Sequence, residues 1–301
     1  MEEKKRQGPQ VVDFSFSADD PLTKEELALS YSKYYYVPFT PMNPLVSQIL
    51  AAPVDPATCL TVQDAEKLFL PGYLENELGY CIFPDGTGYA ASYVFMPGVT
   101  IDMIEWYMNW QFIQPPSVPK EAGNIRYKIW CPGKHWDTGG SDEDSNQRHA
   151  GRGKYAGMSL AERSHYANDY MVHKSPIDDN EATINSASSI NPIKEFRVSP
   201  EIAKYAAEGY CCGASHSGLF SNIHYYRYNK LLGGVELRSR YWYGWGLNEN
   251  GVIVSNQANM PPQNIEEIKG CCIHNIEEYT HLASFLPQLY AEEGWKPIDV
   301  Y

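Results

Sequence analysis

The chain has 301 residues, 43% of them hydrophobic and 20% charged, with a formal net charge of -13 and a sequence pI of 5.1. That length supports one large domain or two moderate ones with real cores, and the acidic balance speaks against nucleic acid, whose phosphates require a basic surface. No apolar run reaches the roughly 18 residues that a membrane-spanning helix needs.

The opening "MEEKKRQGPQ" has no apolar core of a secretory signal, which places the protein in the cytoplasm. Next, "DDPLTKEELALSYSKYY" carries Pro21 near a helix start and acidic residues in the first turns. "TVQDAEKLFL" predicts a second short helix capped by Thr61. "LGYCIF" and "GTGYAASYVFM", joined by the turn "PDGTG", predict a hairpin. "TIDMIEWYMNWQFI" predicts a third helix capped by Thr100, with Trp106 and Trp110 on one side as core or interface residues. The proline-rich "QPPSVPKEAGN" (114–124) is the best linker candidate, dividing a mainly helical 1–115 from 116–301.

After it the pattern turns to strands: "IRYKIWCP", "KEFRVSP", "EGYCCGASHS", "FSNIHYYRY", "GGVELRSRYWYGWG" and "GVIVSN". The polar "DTGGSDEDSNQRHAGRGKYAG" (137–157) predicts a long exposed loop, with His149 and His165 in or beside it and solvated. A final helix is predicted over about 262–293, its pattern interrupted by Gly270 and Pro287. Antiparallel strands followed by one long helix imply an α+β fold in which a curved sheet wraps that helix, with a cavity between them. The 23 tyrosines suit strands and a cavity with hydroxyl-bearing walls, and the seven cysteines, without a C-x-x-C, read as unpaired buried thiols.

The final helix carries an anomaly. At about 100° per residue, His274, Glu278, His281 and Phe285 share one narrow sector, flanked by Leu282 and Leu289, so polar groups occupy the inward stripe. Burying a carboxylate and an imidazole is unfavourable unless they pair or hold a cation. The H-x-x-x-E spacing of His274 and Glu278 is therefore either a buried hydrogen bond or half of a metal site. Glu277 and His281 read as rim neighbours. Two further histidines stand out: His135 at the end of "RYKIWCPGKH", and His224 inside the alternating "IHYYRY", with Tyr241 on the next strand. Arg238 and Arg240 alternate with Ser239 and Tyr241, so both face away from Tyr241, into a salt-bridged surface.

Taken together, "IEWYMNWQF", "RYKIWCPGKH", "IHYYRY…GGVELRSRYWYGW" and "H-x-x-x-E-x-x-x-L-x-x-x-LPQLY" resemble the 2,4-diacetylphloroglucinol hydrolase and phloretin hydrolase family over roughly residues 100 to 290. The resemblance implies a helix-grip (Bet v 1/START-like) catalytic domain at 116–301 and a dimerising N-terminal region at 1–115. It also implies a zinc-dependent hydrolase that cuts the carbon–carbon bond between an acyl group and a polyhydroxylated aromatic ring. By position, His135, His274 and Glu278 match metal ligands, Tyr127 and Tyr241 match tyrosines at the substrate, and His224 matches a proton donor.

One position departs from the family pattern. The remaining ligand there is a glutamate, whereas this chain carries an insertion, "GGSDEDSNQRHAG", after which His173 is the nearest match. Glu162 and Glu181 compete with it, and zinc accepts imidazole and carboxylate alike. His216 is the runner-up for the acid–base role. The rival readings are a non-catalytic helix-grip protein that holds an aromatic or lipid ligand, and an aromatic polyketide cyclase on the same fold.

Overall fold

The computed structural model describes residues 22–140, 147–149, 151–158, 163, 169–174, 181–216 and 218–296, and treats 140, 169–170, 172–174, 181–190 and 214 by backbone alone. Its frame is an eight-stranded antiparallel sheet. In chain order the strands are β1 (Gly79–Ile82), β2 (Gly88–Pro97), β3 (His135–Gly140), β4 (Asp169–Lys174), β5 (Glu181–Ile190), β6 (Tyr210–His216), β7 (Phe220–Asn229) and β8 (Gly234–Tyr243). They lie in the order β1-β2-β8-β7-β6-β5-β4-β3, and β9 (Trp245–Leu247) with β10 (Ile253–Ser255) forms a separate pair. The α-helices described with both ends are α1 (Lys24–Leu27), α2 (Pro44–Ile49), α3 (Ile101–Trp110), α4 (Ile125–Lys128), α5 (Pro200–Ala206) and α6 (Ile265–Glu293).

The architecture is α+β with the C-terminal helix packed on the sheet, as the strand-then-helix order implies. α6 starts at Asn264, whose side chain accepts from the Glu266 amide at 3.0 Å, and it runs on through Gly270 and Pro287. Its apolar residues Ile268, Cys272, Ile276, Leu282, Leu286 and Leu289 form one core with Ala90, Val94, Leu237, Tyr226 and Tyr241. The expected hairpin is present as β1 and β2. Its second strand pairs with β8 along the whole of Gly88–Pro97, so it belongs to the same sheet.

The sheet buries its other face too. Tyr89, Ala91, Ile223, Tyr225 and Trp242 pack there against Leu68, Phe69, Phe196 and Ala206, brought by the 3-10 helix Val62–Phe69 and by α5. Arg238 and Arg240 point into this second layer, as their alternation with Tyr241 predicts. They are 1% and 0% exposed, so their environment is a core and not a surface. The Glu77 carboxylate neutralises both, accepting from Arg238 at 2.6 and 3.1 Å and from Arg240 at 2.5 Å. Burial works against ionisation of Glu77, but the two guanidinium groups prevail and hold its pKa below the usual range.

Several expected elements differ. "IRYKIW" is helix and turn rather than strand, because the Asn124 side chain caps it by accepting from the Arg126 amide at 3.0 Å. The same side chain donates to the carbonyls of Gln111 and Thr138, so residues 114–124 are tied down at their end. "KEFRVSP" is turns, since Asn191 and Arg197 adopt left-handed φ of 61° and 53° around Pro192. Thr61 sits at the N-cap of its helix but makes no capping bond, and that helix is 3-10, whereas Thr100 does cap α3. The expected exposed loop at 137–157 begins in β3 and buries Arg148, His149 and Tyr155 among its described residues. His149 stacks on Phe112 with the rings 4.6 Å apart, so it is not solvated; His165 lies outside the described residues. All seven cysteines are unpaired, as expected. No described helix is long and apolar enough to cross a membrane.

The N-terminal segment is pinned to both α4 and the end of α6. Thr23 and Glu26 form a capping box on α1, and the other Glu26 oxygen takes the buried Lys128 ammonium at 2.8 Å. Tyr34 donates to Glu292 at 3.0 Å and Ser30 to Glu293 at 2.7 Å. Phe39 stacks on His281 at 4.3 Å, which places His281 in the core and not at the rim.

Two outcomes follow for stability. Glu77→Ala leaves two buried guanidinium groups without their counter-charge and lowers unfolding free energy by about 3–5 kcal/mol in chemical denaturation. Burial lowers the pKa of His281 to about 4. An unfolded imidazole takes a proton near 6.5, so from about pH 6.5 down to 4 the unfolded chain binds more protons and stability falls with pH. His281→Phe removes that proton and keeps the stacking. Its melting temperature should fall less than the wild type's between pH 7 and 5, and an equal fall in both would show that His281 does not titrate this way.

Candidate metal centre and active site

Two elements meet at one cluster. β3 supplies His135 at its first residue, and α6 supplies His274 and Glu278 one turn apart. The His135 and His274 Nε2 atoms are 3.3 Å apart, and the Glu278 Oε2 atom lies 3.2 Å from the first and 3.3 Å from the second. The three donor atoms thus form a nearly equilateral triangle. Charge-assisted hydrogen bonds settle at about 2.7–2.9 Å, shorter than any of these sides. A tetrahedron whose arms are the ~2.0–2.1 Å of zinc–nitrogen bonds has edges of about 3.3–3.4 Å. Two imidazoles and a carboxylate at that spacing fit a tetrahedral divalent ion, and they are a group of metal-binding type among the described residues.

The members of this cluster are held by their surroundings. Tyr127, on α4, stacks flat on the His135 imidazole at 4.0 Å and 5°, while Trp130 meets the same ring edge-on at 5.1 Å. Lys134 and Glu277, each one residue before a member of the cluster, form an ion pair that ties the start of β3 to α6. Burial opposes the charge of Glu278, but the charge of His274 and hydrogen bonds from His135 and His274 outweigh it and hold its carboxyl below the usual range.

The sheet face opposite α6 carries the remaining polar groups. Cross-strand register sets Asn222 opposite Tyr241 and His224 opposite Ser239, all on one face. His224 Nδ1 lies 2.7 Å from Ser239 Oγ, and its Nε2 lies 2.7 Å from Asn222 Nδ2, whose Oδ1 is 2.8 Å from His216 Nε2. His216 is therefore two bonds from His224 through one amide. Burial lowers the His224 pKa to about 4, so the ring is neutral at neutral pH. Burial also pushes the phenols of Tyr127 and Tyr241 well above their ordinary range, next to Glu278, and both stay protonated. The Tyr241 ring sits 5.5 Å from His224, and its hydroxyl accepts from Asn275 at 2.9 Å.

Of the residues singled out in the sequence, His135, His274, Glu278 and Tyr127 come together at the cluster, and His224 and Tyr241 line the sheet beside it. The β3–β4 ladder sets His173 directly opposite His135, and the β4–β5 ladder sets Glu181 opposite Lys174 at the start of β5. Their side chains, and Glu162 altogether, lie outside the described residues. Trp110 is core and Trp106 packs against it at 5.0 Å, as expected. Asn275, Ser92, Asn222 and Ser239 went unnoticed in the sequence. Asn275 had a readable signal, three residues before Glu278 on the same helical stripe, and Asn222 shares the face of His224 by strand alternation. Ser239 shares the face of Tyr241 in the same way, and Ser92 had no such signal.

A family model described as the DAPG hydrolase PhiG domain matches residues 60–291. The phloretin hydrolase of Eubacterium ramulus is 27% identical over 284 residues, covering 90% of this chain and 92% of that protein. A 2,4-diacetylphloroglucinol hydrolase of Pseudomonas sp is 25% identical over 282 residues, covering 88% of each. A second, from Pseudomonas protegens, is 24% identical over 88% of this chain and 84% of its own length. With the model spanning most of the chain and its matched region containing the whole cluster, this protein belongs to the DAPG hydrolase family and is a hydrolase.

Proposed function

We propose that the protein is a zinc-dependent hydrolase that adds water across the bond between an acyl carbon and a phloroglucinol-type ring, releasing a carboxylic acid and the deacylated ring. The observation that carries this reading is the equilateral His135–His274–Glu278 triangle inside a chain of this family. A binding protein gains nothing from a buried triad of that spacing, which weighs against the non-catalytic rival. In this reading His173, opposite His135 in the ladder, is the fourth ligand. When bound, zinc supplies Lewis acidity and lowers the pKa of water toward about 7.

The chain's own residues then do the rest. A ring carbon is a poor leaving group unless its charge spreads onto ring oxygens, which a 1,3,5-oxygenated ring permits. Tyr241 and Tyr127, both protonated, donate hydrogen bonds to oxygens that become more negative as the bond breaks. His224 is neutral, and once its Nε2 is released from the Asn222 amide that nitrogen accepts the proton lost by the attacking water and returns it to the departing ring carbon. One water is consumed: its oxygen and one hydrogen end in the acid, and the other hydrogen ends on the ring. The expected cytoplasmic location, homodimer and division near residue 115 belong to the same proposal.

The deciding experiment combines metal analysis with product analysis. Purified protein should contain stoichiometric zinc, and acylphloroglucinols or phloretin should yield a free carboxylic acid by mass spectrometry. Intact substrate in the presence of full zinc would sink the reaction type, and condensed rather than cleaved products would favour the cyclase. His173→Ala should lose zinc while Glu162→Ala retains it; the reverse moves the ligand to Glu162. His224→Ala should keep its zinc and lose about 10²–10⁴-fold in kcat. Unchanged turnover in that variant would remove His224 from the proton path.

A further inference from the structure

The Asn275 carboxamide touches both halves of the site. Its Nδ2 donates to Glu278 Oε1 at 3.1 Å and to Tyr241 Oη at 2.9 Å, and its Oδ1 accepts from the hydroxyl of Ser92 on β2. Asn275 is 1% exposed and Ser92 0%, so none of these bonds competes with bulk water. The amide orientation is determined by chemistry. An ionised carboxylate only accepts, so the nitrogen must face Glu278, and the oxygen is left for Ser92.

Two consequences follow from that orientation. Glu278 Oε1 is occupied, which leaves Oε2 as the atom that faces His135 and His274. The Tyr241 oxygen is an acceptor in its bond to Asn275, so its own proton remains to be donated, and no described residue accepts it. Donation into that oxygen also strengthens the hydroxyl as a donor. A single side chain therefore aims a ligand oxygen at the metal position and primes a phenol for the substrate.

We propose that Asn275, held by Ser92, is the positioning residue that couples the metal centre to recognition of the ring oxygens by Tyr241. This inference rests on the zinc hydrolase reading, and its test is chosen to separate the two. Zinc alone, titrated against a chromophoric chelator, reports the first half without any turnover. Asn275→Ala should lower zinc affinity about 10–100-fold, the usual effect of removing a partner of a metal ligand. Ser92→Ala keeps the shape of the core and should lower it about 5-fold through loss of one orienting bond. Should Asn275→Ala fail to fold, Ser92→Ala decides.

The second half is read from a double-mutant cycle. Asn275→Ala should lower kcat on the order of 10-fold in the native background, yet less than about 2-fold in a Tyr241→Phe background. Zinc affinities within about 2-fold of wild type in the folded variants, or additive kcat losses, would overturn the proposal. Wild-type protein that binds zinc but cleaves no ketone sinks the reaction and leaves the affinity comparison standing. Wild-type protein that takes up no zinc overturns both.

Discussion

A carboxylate sits in the middle of the hydrophobic stripe of α6, and the arrangement around it answers that charge. Glu278 is 6% exposed and lies near Tyr107, Tyr127, Tyr241 and Tyr279, so bulk water solvates it little. A lone buried carboxylate would take up a proton or unfold its surroundings. Here His135 and His274 meet one oxygen and Asn275 the other. Satisfying this one group requires β3, α4 and α6 to converge, and that convergence is what builds the candidate metal centre.

The sheet makes the convergence possible by being buried on both faces. On one side Tyr241, Ser239 and Ser92 face α6; on the other Arg238, Arg240 and Trp242 face the layer built from residues 60–70 and 196–206. Strand alternation thus separates two polar systems by the thickness of a single sheet. The Glu77–Arg238–Arg240 group serves the frame, while the groups on the α6 side line the candidate site. The N-terminal segment reinforces the frame from outside, with Glu26 gripping Lys128 next to Tyr127, and Phe39 stacking on His281.

Much of this was legible in the primary structure where a strong periodicity or spacing existed. The hairpin at 78–97, the paired strands at 220–243 and the long final helix each carry a clear period, and each is present. The polar strands β3, β4 and β5 carry no such pattern. "HWDTGG" and "EATINSASSI" are held by ladder hydrogen bonds, which depend on the backbone and not on side-chain polarity. "IRYKIW" alternates like a strand, yet a single capping asparagine before it makes it helical. Local propensity loses there to one side chain that three segments share.

The sequence by itself determined the α+β class, the inward polar stripe of the last helix and the pairing of His274 with Glu278, because those follow from fixed helical and strand periods. The family resemblance added Tyr127 and gave roles to His135, His224 and Tyr241, which the strand pattern had already marked. Only the tertiary structure decided that His135 Nε2 closes an equilateral triangle with the helix pair, that Tyr127 stacks on that imidazole, and that Asn275 bridges Glu278 to Tyr241. The reason is physical. Periodicity states which side of an element a residue occupies, whereas distances between elements 139 residues apart depend on how the two cores pack around a charge that neither could bury alone.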